Sequence, residues 1–437
     1  VRARASILAS SMLAAALGGY FGVPFVRAHG DATRHLPGRT SNGHHAIEEA
    51  CSACHAPWGG VPNDRCNACH GEALAAADTH AESKFADPRN ADRVAGLDAR
   101  ACVTCHRDHA SEATDASGVS LPRDFCAACH QDVARERPSH AGFSFEACAS
   151  TGCHRFHDNR ALYEGFLARH LHEPDTRDPA AVAVLSHVAR RAAPALDAPA
   201  AAMRPEIVAE WAGSAHAAAG IGCTACHGRK DTAWEDRPGR AACARCHARE
   251  EAGFLGGKHG MRLAAGLSPM TPAAARDPMK PEARDRALGC GSCHASHRCD
   301  TARAAVDACL SCHDDQHSRA YDASPHALLL RREKAGEGAP GTGVSCATCH
   351  LPRVTRRDHG ADVVTADHDQ SEGEATPEKM LRSVCLACHG LGFAIDALAD
   401  ADLVRKNFAG RPGAHVASLS MVERRLEEQA KRKERRP

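Results

Sequence analysis

At 437 residues the chain has room for two or three domains, and its balance of 54 basic against 54 acidic residues gives no reason to expect a nucleic-acid partner. Its hydrophobic share of 43% draws heavily on alanine and aromatics make up only 4%, so a core built from side chains alone would be thin. Arginine outnumbers lysine 45 to 9, which suits bidentate pairing with carboxylates, although a GC-rich gene would produce the same bias.

The first residues read as a targeting segment. Arg2 and Arg4 precede an uncharged run from Ala5 to Val26, closed by Arg27. That run is long enough to span a bilayer, and the positive end before it would stay cytoplasmic. Residues 1–28 are therefore expected to be an N-terminal membrane anchor or a cleaved signal peptide. Both place the rest of the chain on the periplasmic side of a bacterial inner membrane, either tethered through residues 5–26 or released.

Ten copies of Cys-x-x-Cys-His then follow. The first half carries Cys51, Cys54 and His55; Cys66, Cys69 and His70; Cys102, Cys105 and His106; and Cys126, Cys129 and His130. The second half carries Cys223, Cys226 and His227; Cys243, Cys246 and His247; Cys290, Cys293 and His294; Cys309, Cys312 and His313; Cys346, Cys349 and His350; and Cys385, Cys388 and His389. An eleventh site has a wider gap and consists of Cys148, Cys153 and His154. Chance would produce only ~0.1 such motifs, and zinc ribbons do not need His after the second Cys each time. The spacing is that of c-type haem attachment: two thiols add to the porphyrin vinyl groups, and the adjacent His ligates the iron. Eleven haem c groups are expected, with the stacked haems as the core of a mainly α fold containing much irregular loop. Without haem the chain should not fold. Two propionates per haem would make the holoprotein acidic unless some arginines pair with them.

The motifs divide into a pentahaem domain at 29–178 and a hexahaem domain at 206–400. Between them lies an Ala/Pro-rich stretch at 179–205 that reads as a linker. Connections are short: 10 residues after His55, 19 after His106, 15 after His227 and 14 after His294. Such lengths force neighbouring haems together, as electron hopping requires. Leu391, Ile395 and Leu398 recur at helical spacing. Residues 401–437 read as a charged tail, with a solvated helix expected from Val422 to Arg436. No alternating strand runs stand out.

Eleven His are proximal, which leaves 19 of the 30 for the opposite iron face, enough for bis-His ligation throughout. Methionine is the alternative, but His/His ligation gives the lower potentials expected here. Candidates for distal ligation are His45, His80, His109, His140, His157, His170, His216, His259, His297, His317, His326 and His368. His29, His35, His172 and His187 read as surface residues. Cys299 is the one unassigned thiol: a small buried hydrophobe, or a thiolate favoured by Arg298.

The motif Trp211-x-x-Ser214-x-His216 before Cys223 is followed by Cys290-x-x-Cys-His294-x-x-His297, His317, Ser324-Pro-His326 and Gly343-Val-Ser-Cys346. Over roughly 210–350 this resembles the multihaem superfamily of octahaem hydroxylamine oxidoreductase and its reductase relatives. The resemblance implies distal roles for His216, His297 and His326, with haems packed in parallel and perpendicular pairs. The first half is similar to small multihaem cytochromes of the c3 and NapC/NirT type. Two departures separate the chain from the enzymes of the superfamily. No Cys-x-x-Cys-Lys is present, and none of Tyr20, Tyr163 and Tyr321 follows the last motif. The expected role is electron transfer between a membrane quinol-linked or periplasmic redox partner and a terminal acceptor, with no catalytic residues assigned. The competing role is an oxidoreductase acting on a small nitrogen or sulfur compound at one five-coordinate haem, with Lys258, His259 and Arg262 as pocket donors. A polymerising haem filament is a third.

Overall fold

The computed structural model describes residues 36–435, apart from 78–79, 81, 115–117, 143, 149–155, 158–163, 188–190, 200–201, 229–233, 359, 371–376 and 414, together with positions 11–13 and 16. Most of the expected targeting segment therefore lies outside the described residues. Among the described residues no helix is long and apolar enough to cross a membrane.

The architecture is mainly α, with short helices, long connections and little sheet. The local unit is the motif itself. The N–H of His55 donates to the carbonyl of Cys51 (2.8 Å), and the same bond joins His106 to Cys102 (3.0 Å), His227 to Cys223 (3.0 Å), His247 to Cys243 (2.9 Å) and His389 to Cys385 (2.9 Å). One turn closed this way puts positions i, i+3 and i+4 on a common face. Two thiols and one imidazole thereby point the same way. Several of these turns are capped: Ser345 and Thr348 form a capping box around Cys346–His350, and Asp197 accepts from the N–H of Cys223 at 2.7 Å.

Buried apolar side chains gather in two small clusters. One joins Leu167, Leu381, Leu391, Ala394, Ile395, Leu419 and Val422. The other joins Val306, Tyr321 and Ala327, with the Tyr321 hydroxyl donating to the Val344 carbonyl at 2.8 Å. Among the described residues of 36–157, Ala46 is the buried apolar residue. The first half thus has almost no side-chain core.

Three features differ from the sequence reading. The Ala/Pro-rich stretch is no free linker but an extended strap along the second half. Its approach begins where Arg177 N–H donates to Cys388 O (2.8 Å); then Val182 N–H donates to Gly341 O (2.9 Å), Ser186 N–H to Val364 O (3.0 Å) and Arg191 N–H to Ala218 O (2.5 Å). Backbone groups in an extended stretch need partners, and here several find them on the neighbouring domain. The charged tail forms a helix at Ala417–Glu434, and its first turns are not solvated: Leu419 and Val422 sit in the Leu391 cluster. A β-hairpin also exists, with β1 (Arg353–Asp358) pairing antiparallel to β2 (Ala361–Ala366) in the register Arg356↔Val363. Gly360, at φ +85, supplies the left-handed turn position. β1 is studded with charge (Arg353, Arg356, Arg357 and Asp358), which hid the hairpin from a search for apolar alternation.

The halves also meet at their beginnings. Arg262, 9% exposed, donates to the Ala46 carbonyl (3.0 Å) and to Glu49 Oε2 (2.9 Å), and Arg276 donates to the Thr40 carbonyl (2.7 Å). These arginines hold protein groups of the first half.

Leu419→Ala should cost about 2–5 kcal/mol, read as a lower melting temperature by circular dichroism. His415 donates to Asp396 Oδ2 (2.8 Å) and contacts Glu423 Oε2 (3.3 Å), and these hydrogen bonds raise its pKa above the ordinary value. A raised folded pKa gives stability that is complete below the unfolded pKa and is lost as pH rises through the folded one. The melting temperature should therefore fall between pH 6 and pH 9 by more in the wild type than in His415→Gln.

Candidate haem-binding sites

Ten histidines from motifs each face one histidine from outside the motifs. The ring centres lie 6.3 Å apart for His55–His109, 6.0 Å for His70–His44, 6.1 Å for His106–His157 and 6.2 Å for His130–His80. In the second half the separations are 5.9 Å for His227–His297, 5.9 Å for His247–His216, 6.1 Å for His294–His368, 6.2 Å for His313–His259, 6.4 Å for His350–His317 and 6.3 Å for His389–His326. Ordinary ring contacts span a wider range of distances and need no such partner rule. Two metal–imidazole bonds of about 2 Å, with about 1 Å from each nitrogen to its ring centre, would separate two rings by about 6 Å. The residues therefore fit a six-coordinate haem iron.

Ring orientation is held from behind. His106 Nδ1 donates to Gly118 O, His227 Nδ1 to Glu235 O and His389 Nδ1 to Asp175 O, each at 2.8 Å. On the opposite side, His368 Nδ1 donates to Ala366 O (3.1 Å) and His109 Nδ1 to Gly38 O (3.3 Å). A carbonyl only accepts, so each Nδ1 carries the proton and Nε2 keeps its lone pair for a metal. The hairpin earns its place here, because His368 follows β2 directly. Trp234 stacks on His227 at 4.6 Å and Phe393 on His389 at 5.0 Å. Burial lowers the pKa of His216, His294 and His297, and brings that of His326 to about 4, so these imidazoles are neutral as ligation requires. Asp108 instead raises His44 through a hydrogen bond at 3.1 Å to Nδ1.

The thiols of successive motifs lie near one another in an alternating order. First cysteines meet at Cys66–Cys102, Cys243–Cys290 and Cys309–Cys346, each a hydrogen-bonded pair. Cys126 and Cys148, also first cysteines, interact in the same position of the order. At the intervening steps the second cysteine of one motif nears the next motif: Cys54 by Cys66, Cys105 by Cys126, Cys226 by Cys243, Cys293 by Cys309 and Cys349 by Cys385. Burial pushes the Cys293 thiol up to about 11 and Cys349 to about 12. Consecutive sites in each half are thus contiguous.

The pairing also repeats. In the first half, the first motif faces His109, three residues past the third motif, and the second faces His44, which precedes the first. The third faces His157, beyond the fourth, and the fourth faces His80, between the second and third. The motifs at Cys223, Cys243, Cys290 and Cys309 follow the same plan through His297, His216, His368 and His259. The repeat lies in the crossing order and not in any run of similar residues.

Nine of the twelve candidates face a motif histidine. His45 does not: its neighbour His44 does, while His45 Nδ1 donates to Asn42 O at 2.9 Å and Nε2 is buried without a hydrogen-bond partner. Two adjacent histidines at a helix entry cannot both face one site, and spacing gives no sign of which one does. His170 packs on Phe166 (4.3 Å) and donates to Glu173 (2.7 Å). His140 ends the turn Pro138–His140, but Cys153 and His154 lie outside the described residues. His29 and His35 also lie outside them. Burial pushes Cys299 up, and Arg298 turns to Asp300 (3.5 Å) instead of favouring a thiolate. Arg262 bonds Glu49, the Ala46 carbonyl and the Ser268 carbonyl, and His259 faces His313.

No curated protein and no solved structure matches the chain. The comparisons reach no part of residues 210–350, where the likeness to octahaem oxidoreductases rests on motifs alone. Residues 43–131, which hold the first four motifs, match the family model described as cytochrome c3, and this segment is that of a multihaem electron-transfer cytochrome.

Proposed function

We propose that the chain is an undecahaem c-type cytochrome that carries electrons along closely packed haems, between a membrane or periplasmic donor and a terminal acceptor. The observation that carries this reading is the set of ten facing histidine pairs, each uniting one motif histidine with one from elsewhere. Each haem supplies a one-electron ferric/ferrous couple. The cysteines hold the porphyrin, the motif histidine takes one iron face, and the facing histidine takes the other. Backbone carbonyls on Nδ1 fix the tautomer and the ring plane. The alternating thiol contacts support a continuous path within each half.

His140 is assigned to the eleventh site by the order of the repeat. His317 lies between the fourth and fifth motifs of the second half and faces the fifth, and His140 lies between the fourth and fifth motifs of the first. An exported location on the periplasmic side follows from the chemistry of haem attachment and from the targeting segment.

The oxidised holoprotein should contain eleven irons per chain and show only low-spin ferric signals in electron paramagnetic resonance. A high-spin signal at rest would sink bis-His ligation throughout. His44→Ala should turn one haem high-spin, whereas His45→Ala should leave the spectrum low-spin; the reverse result would restore His45 as the ligand.

A further inference from the structure

The strap that joins the halves runs along the second half backwards. Thr176 bridges to His389, and the Arg177 N–H donates to Cys388 O (2.8 Å), both at the Cys385 site. Val182 N–H then donates to Gly341 O (2.9 Å), just before the Cys346 motif. Ser186 N–H donates to Val364 O (3.0 Å) on β2, which leads to His368 and so to the Cys290 site. Arg191 N–H reaches Ala218 O (2.5 Å), just past His216 of the Cys243 site. Asp197 ends the run by accepting from the N–H of Cys223 (2.7 Å). The strap therefore meets Cys385, Cys346, Cys290, Cys243 and Cys223 in descending order. An extended run from Thr176 to Asp197 can reach up to about 75 Å, enough to pass several sites.

Units consecutive in sequence are usually neighbours in space, which would set the end of the first half against the Cys223 motif. The strap does the opposite. It begins where the first half ends, with Leu167 in the Leu391 cluster and Asp175 O accepting from His389 Nδ1 (2.8 Å), and it arrives at Cys223 only at its far end. The start of the first half meets the second at another site. Ala46 and Glu49, just past His44, accept from Arg262, which follows His259 of the Cys309 site by one helical turn. Within the second half the thiol order keeps successive sites contiguous from Cys223 to Cys385.

We propose, resting on the haem-binding reading above, that electrons pass between the halves at the Cys309 and Cys385 sites, and that the Cys223 site is the outer terminus of the path. Conduction between Cys385 and Cys223 then runs against the order of the sequence. A one-electron donor at the first half is oxidised and reduces a site there. Each hop reoxidises one site and reduces the next, until a one-electron acceptor at the Cys223 end takes the electron. No covalent bond forms or breaks.

The test delivers one electron to the first half of the intact holoprotein and times its arrival at a marked site. A photosensitiser attached to Glu112→Cys in a Cys299→Ser background, with a sacrificial one-electron donor, supplies the electron; Glu112 is exposed and lies just past His109. His326→Met marks the Cys385 site and His297→Met marks the Cys223 site. Thioether ligation raises the potential of the marked haem, which makes it the electron's destination, and gives its ferric form a far-red absorption band that disappears on reduction. The band should disappear first at Cys385 and only later at Cys223. A second pair, His259→Met at Cys309 and His216→Met at Cys243, should show the same order and serves if either member of the first pair does not fold. Earlier loss at the Cys223 mark, simultaneous loss at both marks, or loss at neither would each overturn the proposal. Absence of the far-red band from all four folded variants before any flash would instead overturn ligation by these histidines.

Discussion

The constraint on which the rest depends is that two imidazoles must be held with their ring centres about 6 Å apart, with only one of them local to its motif. The motif places its own histidine through a single helical turn. The facing histidine arrives from elsewhere in the chain, 70 residues away for His227 and His297 and 74 for His294 and His368, so each pair must close a long loop. Side-chain burial in the first half cannot repay that cost, because Ala46 is its one buried apolar residue among those described at 36–157. On the haem-binding reading proposed above, the site itself would close those loops, and folding of this half would be coupled to the group it holds, as in other small metal-dependent domains.

The crossing order shows how the constraint was met twice. A histidine before the first motif serves the second, and one after the third serves the first, so no motif is completed by its immediate neighbourhood. Interlaced this way, four sites brace one another as a unit. The same weave at Cys51–His157 and at His216–His368 reads as duplication of that unit, with the Cys385 site added to the second copy. Among the described residues, a side-chain core gathers around that added site, at Leu391 and Leu419, with Leu167 of the first half.

Legibility in the sequence follows the range of each interaction. The motif turns were legible because thioether chemistry and the i to i+4 bond act over five residues. The helix at Leu391–Ala399 was legible from its apolar period. His44 was not, since His44 and His45 share every sequence property and only the Asp108 carboxylate, 64 residues on, selects the first. The strap was misread because an extended Ala/Pro stretch looks the same whether its partners are water or the backbone of Gly341 and Val364. The hairpin was missed because β1 presents Arg353, Arg356, Arg357 and Asp358, and charge on a two-stranded ribbon hides its period.

The proposed conduction across the whole chain would require the two halves to keep a fixed relation, and they meet at separated points. Arg262 and Arg276 fasten the segment Thr40–Glu49, which carries His44, to the stretch beside His259. The Leu167 side chain enters the core built around the Cys385 site, and Asp175 holds His389 directly. One fastening alone would leave a hinge. Two fastenings, one beside the facing histidines His44 and His259 and one at the motif histidine His389, leave less freedom for a hinge than one alone. Arg262 is the more demanding of the two arginines, since at 9% exposure its charge is tolerable only while Glu49 and the Ala46 carbonyl stay in place. The contact between halves is thereby specific as well as tight: a shift of the first half would strand a buried guanidinium.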